Sequence, residues 1–589
     1  MDFIISALKN NKAAVGLAIL VGLIGIAPHI WFRISLGSEY RGLYMTQAAN
    51  ELEYLSRVQE ISEGHWKLGS VPFLEYKSHP PFMPPSVLEI FSALASKLFF
   101  VSISTVFIVS KAVLPAILFL LIYALVLRLG GNTPAAKWWG LAAAAFSLLG
   151  YDLIDYRSVL GFLRGGRGPD EFLIWTRPMN PILGGILVFL FLQTIGKLYE
   201  RVVIKVWSGR IVGGVILGLG ILSYFFSWGT MLAFLGVVFL VALFQKRWDM
   251  IRNSFWIVVI AILVASPYWY NLWKVSKNPT YMRDYLDSVM RSGLFLTHTP
   301  IINKVTLATL LVFLGLTWWD DRKRALIHFR QRELWWYVAF SMIMVGLVVF
   351  NQQIVTGKTI WPYHFVQYVI LLCVSALAIL AAHLEWLPRR LHQIGVGFII
   401  GISLIFGVYA QTTTYAQNVE LYRGRQHYAD LIYWLNKKAI PECVVLTEDR
   451  FYLTHAIPAF TRCNVYVSDY WSFLLPSERI YHNYLVALRL QGISETTIDA
   501  YLKDAYPNTL VYFLGTEVMG KLIQYEDYHV FLERIASDYK NFLQKDFLSE
   551  IKRYRIDYLM VEKGKTMAQE LIRNRKPIYS APQWELYEL

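Results

Sequence analysis

Two carboxylates, Glu51 and Glu53, stand two residues apart in Asn50-Glu51-Leu52-Glu53-Tyr54-Leu55. A carboxylate can accept a proton or hold a divalent cation. Further along, basic groups stand at the ends of long apolar runs: Arg177 in Trp175-Thr176-Arg177-Pro178, Arg291 and His298 in one connector, and Lys358 and His364 around Trp361-Pro362-Tyr363. Cations gathered in this way suit an anionic phosphate or a sugar headgroup. Plainer readings stand beside these. Glu51 and Glu53 could form the solvated face of a surface helix, and Lys358 and His364 could belong to a capped, solvated loop. The run Asn351-Gln352-Gln353 is costly at a membrane edge unless it faces water, protein or ligand.

The elements that must position these groups follow from composition. Of 589 residues, 56% are hydrophobic and 17% charged, and the mean hydropathy is +0.40. Soluble domains carry about 25% charged residues, so this is an integral membrane chain. Eleven stretches are long enough to span a bilayer: 13–33, 104–128, 138–154, 179–197, 211–227, 228–245, 253–272, 304–319, 334–350, 364–384 and 393–411. The first is too long for a cleaved signal peptide and is expected to remain as a helix. With the N-terminus in the cytoplasm, the inner loops hold eighteen basic and seven acidic residues, as the positive-inside rule requires. The formal charge of +14 therefore resides mainly in those loops and is no signature of nucleic-acid binding.

Three outer regions, 34–103, 152–178 and 273–303, are too long for simple connectors. Leu52, Leu55, Val58 and Ile61 predict a helix over 50–63 lying on the membrane interface; 84–101 is a second, shorter candidate that could also be re-entrant or a twelfth span, though a twelfth span would invert all that follows and the loop charges argue against it. Lys111, two turns inside the second span, is expected to snorkel to the headgroups. The glycine-rich run 164–169 reads as a flexible loop. Residues 412–589 balance 21 basic against 22 acidic residues. They alternate short runs at 444–447, 464–467, 510–513 and 558–561, read as strands, with amphipathic helices near 428–438 and 527–541. That rhythm predicts an outer α/β domain after a transmembrane domain of residues 1–411. Cys443 and Cys463 each precede one of the first two strands; were those strands parallel neighbours, the pair could form a disulfide in an oxidising compartment. Three cysteines in all supply no structural zinc spacing.

Loop one continues as Glu63-Gly64-His65-Trp66 and Leu74-Glu75-Tyr76-Lys77-Ser78-His79-Pro80-Pro81. An acidic pair, a tyrosine and an amphipathic helix, a Gly-Asp-Trp-like turn and a Lys-Pro-Pro-like segment occur in this order in the GT-C membrane glycosyltransferases. The chain resembles that superfamily, in particular its family 39-like and aminoarabinose-transferase-like branch. The motifs cover about the first 200 residues, and the rest matches by topology. The resemblance implies a polytopic GT-C fold with about eleven helices and a C-terminal extracytoplasmic α/β domain, in the inner membrane. It also implies transfer of a sugar from a polyprenyl-phosphate donor to an extracytoplasmic glycan, lipid or protein. Glu51 would be the base or metal ligand, with Glu53 as alternative, and Lys77 and His79 would contact the lipid phosphate. A divalent cation, Mg or Mn, is a candidate cofactor. Asn50 stands where the family has Asp, and Asn180 where it often has a second acid, so Asp152 and Asp155 are the fallback acids. The competing functions are a transporter or lipid flippase and a catalytically silent scaffold.

Overall fold

Within hydrocarbon a chain must satisfy its backbone hydrogen bonds internally, and each of the eleven apolar stretches is helical. The computed structural model describes residues 11–46, 50–77, 87–155, 168–200, 206–280, 282, 294–324, 333–384, 386, 388–449, 452–468, 475–510, 512–513, 527–564 and 569–589. The helices are α1 (Lys12–Leu36), α2 (Glu51–Glu63), α3 (Val87–Phe99), α4 (Ile103–Leu129), α5 (Pro134–Leu149), α6 (Ile182–Tyr199), α7 (Val206–Ile221) and α8 (Phe225–Phe244). They continue as α9 (Trp248–Val264), α10 (Ser266–Lys277), α11 (Lys304–Arg324), α12 (Leu334–Val349), the single turn α13 (Gln353–Thr356), α14 (His364–His383) and α15 (Arg389–Arg425). Among the described residues, seven helices are long and apolar enough to cross a membrane, or eight if the bent pair α9–α10 counts as one span. The other three apolar stretches form α5, α7 and α11, packed into the same bundle. The chain is a polytopic membrane protein.

Several predicted spans differ from the structure in their limits: the helix of 138–154 ends at Leu149, and that of 393–411 extends over Arg389–Arg425. The stretch 253–272 is broken by a bend of 64° after Val264. Pro267, in the first turn of α10, has no amide hydrogen to donate back into α9. The break between the fifth and sixth spans falls at 222–224, ahead of the predicted 227, because Tyr224 is extended and Phe225 starts α8. Helix starts follow side-chain chemistry where it is present: Ser102 accepts from the Thr105 amide, and Thr133, before Pro134, accepts from that of Ala136.

The C-terminal region forms a five-stranded mixed sheet of order β4-β3-β5-β7-β6, with β3 Val444–Thr447, β4 Asn464–Val465, β5 Tyr558–Glu562, β6 Tyr579–Ser580 and β7 Trp584–Glu588. A separate pair, β1 (Leu294–Leu296) with β2 (Lys358–Ile360), is antiparallel and joins two connectors of the bundle. In the larger sheet β3 runs parallel to β4 and β5. Successive strand residues face opposite sides. Val445 and Met560 pack with α16 (Ala429–Lys438) and α17 (Leu453–Phe460), while Val444, Leu446 and Leu559 pack with α18 (Ser477–Leu490) and α20 (Asp527–Leu543), which flank the short α19 (Ile498–Asp504). The run 510–513, predicted as a strand, is helical at its described residues 510, 512 and 513. Its Tyr512 and Phe513 pack against Tyr484, so tertiary contacts override β propensity.

Helix α2 forms over 51–63 as its periodicity demands, but it does not lie on lipid. Leu52, Leu55, Val58 and Ile61 are fully buried in one core with Leu453, Ala456 and Ile457 of α17 and Val445 of β3. The Val465 amide of β4 also donates to the Pro72 carbonyl, extending the sheet edge with loop one. Helix α15 runs unbroken across residue 411 into this region.

Cys443 and Cys463, brought side by side by the parallel β3–β4 pairing, form a disulfide. Closing a loop with a sequence separation of 20 stabilises the fold by about 3 kcal/mol in the chain-entropy account. Replacing both cysteines by serine in the full-length protein should lower the thermal midpoint, and reductant should lower it for the wild type but not for the variant.

Candidate functional site

Lys111 of α4 is where the site begins. Glycine at 22 and 25 lets α1 approach α4 closely: a Cβ at Gly25 would lie 2.5 Å from the Lys111 carbonyl oxygen and 2.9 Å from Thr176. Lys111 is wholly buried there, and its Nζ lies 2.9 Å from Oε2 of Glu51, which is 3% exposed. The Tyr44 hydroxyl donates to the other oxygen of Glu51 at 3.0 Å. Burial with a charge partner replaces the expected snorkelling of Lys111, because α1, α2 and the Thr176 turn cover the route to water. Two further features favour a carboxylate at 51: it sits in the first turn of α2, where the helix dipole is positive, and its cation is fixed by α4.

Glu53 lies on another face of the same turn and is only half-buried. Burial pushes its carboxyl up to about 7, with Glu89 adding to the shift and Arg57 opposing it. Arg57 is itself engaged by Glu89 in a two-point ion pair at 2.5 and 3.2 Å. Next on the helix, the Tyr54 hydroxyl accepts from Asn180 Nδ2 at 3.3 Å, which ties α2 to the segment before α6. Three residues earlier stands Arg177, whose Nη2 meets Glu171 at 2.8 Å and whose Nε is buried with no hydrogen-bond partner. Arg177 lies within electrostatic reach of Lys111, Asp152 and His364. Burial and Glu171 push the Asp152 carboxyl up to about 6.

The remaining wall comes from the bundle. Nδ1 of His364, at the start of α14, is 2.8 Å from the Tyr224 hydroxyl, and the Tyr368 hydroxyl donates to the Pro181 carbonyl at 3.2 Å. Gly184 permits this last contact, since a Cβ there would meet the Tyr368 oxygen at 2.1 Å. Arg177 thus stands near Asp152 and His364, and the Tyr54–Asn180 hydrogen bond ties the helix that carries Glu53 to the segment that carries Arg177. Such an arrangement can take up a proton on a carboxylate and hold an anion on a guanidinium.

Other residues singled out by the sequence lie elsewhere. Lys77 is buried, with Nζ 2.6 Å from Glu60 and 2.9 Å from Glu442. Its ammonium is engaged by these two carboxylates and ties loop one to the α/β unit. Glu60, Glu63, His65 and Glu442 bring potential metal-ligand atoms within 4.8 Å of one another. That donor set could suit a divalent cation, but Lys77 already supplies the positive charge to two of its four members, so the residues present fit a metal poorly. His298 Nδ1 meets the Ile354 carbonyl at 3.0 Å, and Lys358 is exposed on β2. Asn351 and Gln353 donate to carbonyls of Ile301 and Thr299, which resolves the polar run as a brace between connectors. His79 and Arg291 lie outside the described residues.

Tyr224 and Tyr368 escape sequence reasoning because an aromatic beside an apolar run reads as core or interfacial belt, whereas Tyr54 is the tyrosine of the loop-one motif. The signal that could have found Tyr224 is its place in a three-residue break between two spans.

Over 99% of its length the chain is similar to the crystal structure of ArnT from Cupriavidus metallidurans bound to undecaprenyl phosphate and to that of the same protein in the apo state. Each similarity covers 98% of the ArnT chain, at 12% identity and a TM-score of 0.43. No protein-family model matches the chain, and no curated protein matches it by sequence.

Lys111→Met should leave Glu51 buried without its cation and destabilise the protein by about 3–5 kcal/mol. The double variant with Glu51→Gln should recover most of the loss in thermal unfolding. Gly25→Val should separate α1 from α4 and cost at least about 1–3 kcal/mol by overpacking.

Proposed function

We propose that the protein is a membrane glycosyltransferase that moves a sugar from a polyprenyl-phosphate donor to an extracytoplasmic glycan, lipid or protein. The observation that carries the reading is the joint placement of Glu53, half-buried with its carboxyl near 7, and Arg177, whose Nε is buried without a partner. They are linked through Tyr54 and Asn180. Glu53 accepts the acceptor hydroxyl proton as the acceptor oxygen bonds to the anomeric carbon. The bond from that carbon to the phosphate oxygen breaks, and Arg177 holds the departing polyprenyl phosphate. Glu51 acts as a positioning residue, because its charge is committed to Lys111. No metal is required by this scheme.

The same reading places the chain in the inner membrane, with a cytoplasmic N-terminus and the α/β unit outside. The basic residues of the inner loops and the Cys443–Cys463 disulfide support that polarity.

Purified protein given a radiolabelled polyprenyl-phosphate sugar should transfer it. Glu53→Gln should lower kcat about 100-fold or more, and Arg177→Ala should raise the donor KM about tenfold or more. Transfer that survives Glu53→Gln would sink the assignment of the base. Glu53 works only when ionised, and its value of about 7 lies above the ordinary 4.5. The rate should therefore rise tenfold per pH unit below pH 7 and level off above it, and Glu53→Gln should abolish that limb.

A further inference from the structure

A cavity lies in the α/β unit, between α18, α20 and residues 545–554, and none of its lining residues belongs to the membrane site. Its volume is about 680 Å³, within the 300–1,000 Å³ typical of small-molecule pockets. Its lining is unusual for a hydrophobic cleft. Glu478, Tyr481 and His482 come from α18, Asp538 and Asn541 from α20, and Tyr554 from the segment that follows.

The charges here are largely matched internally. Glu550 stands 3.7 Å from Lys545 and 3.3 Å from Arg553, and Asp538 accepts from the Tyr481 hydroxyl at 2.7 Å. Burial, with Arg479, Arg553 and Lys545, holds His482 down at about 3, so its imidazole is neutral. Three acids against two cations leave no excess of positive charge, which argues against a phosphate or another polyanion. Paired carboxylates keep lone pairs, and the Asn541 amide offers both donors and an acceptor. Tyr481 and Tyr554 are half-exposed at the cavity, so ring surface stands beside these polar groups. A dense mixture of donors and acceptors with aromatic surface, and little net charge, matches a ligand that carries many hydroxyls around an apolar ring face.

We propose that this cavity binds a neutral pyranose unit of a glycan. The site is independent of the transfer chemistry assigned to Glu53 and Arg177. Anchored on the α/β unit, it would hold a glycan beside the bundle whether or not that glycan is the acceptor.

The test is binding by the full-length protein in lipid nanodiscs, followed by saturation-transfer NMR with methyl glycosides of glucose, galactose, mannose and N-acetylglucosamine. Inorganic phosphate serves as a competitor. At least one glycoside should receive saturation, phosphate should not displace it, and Asn541→Trp and Asp538→Asn should each weaken binding tenfold or more. Asn541 is exposed at the cavity edge, so the tryptophan fills the opening without entering the core, and an unchanged thermal midpoint checks that the variants fold. No saturation transfer to any of the four glycosides, displacement by phosphate, or wild-type affinity in both variants would overturn the proposal. Because the readout is binding, it is separate from success or failure of sugar transfer at the membrane site.

Discussion

An ammonium group sealed from water needs a carboxylate beside it, and the burial of Lys111 constrains much of what surrounds it. Glu51 must reach it, so the start of α2 is held against α4. Glycine must occupy position 25 so that α1 can close over the pair, and Thr176 packs at the same point. The turn that carries Arg177 is thereby placed one residue away. A single charge requirement gathers three segments distant in sequence, and the candidate site is built along their junction.

The same helix shows how environment separates two chemically identical groups. Glu51 is committed to Lys111 and Tyr44 and is closed to a substrate. Glu53, two residues on, has a carboxyl raised to about 7 by burial and keeps part of its surface open. Two identical side chains held in such different surroundings are suited to different roles. Lys77 marks a third outcome. Its pairing with Glu60 and Glu442 turns a candidate phosphate ligand into a tie between loop one and the α/β unit, and fills with an ammonium the place a metal ion could have taken.

That tie belongs to a broader union of the two regions. The apolar stripe of α2 buries itself with α17 and the central strands, and Pro72 extends the edge of β4. Loop one is thus a layer of the α/β unit as well as a connector of the bundle, so forces on the sheet reach the helix that carries Glu51 and Glu53. The disulfide at the β3–β4 edge stiffens the same junction, one residue from Glu442.

By itself the sequence determined the apolar runs, their helical state, the amphipathic stripe of α2, the strands at 444, 464 and 558, and the outer loops where ionisable residues collect. These properties are local, since length, periodicity and capping need no partner to be read. Tertiary structure alone decided what each of those features meets. The stripe of α2 suits lipid or protein equally by pattern, and only the fold supplies α17. Lys111 has stem enough to snorkel, and only the closure of α1 prevents it. Arg177 and Lys77 are equivalent cations in sequence, yet one keeps an unpartnered nitrogen and the other is held by two carboxylates. The reason is that a charge takes its chemistry from the few ångströms around it, and those neighbours come from residues as far apart in the chain as 77 and 442.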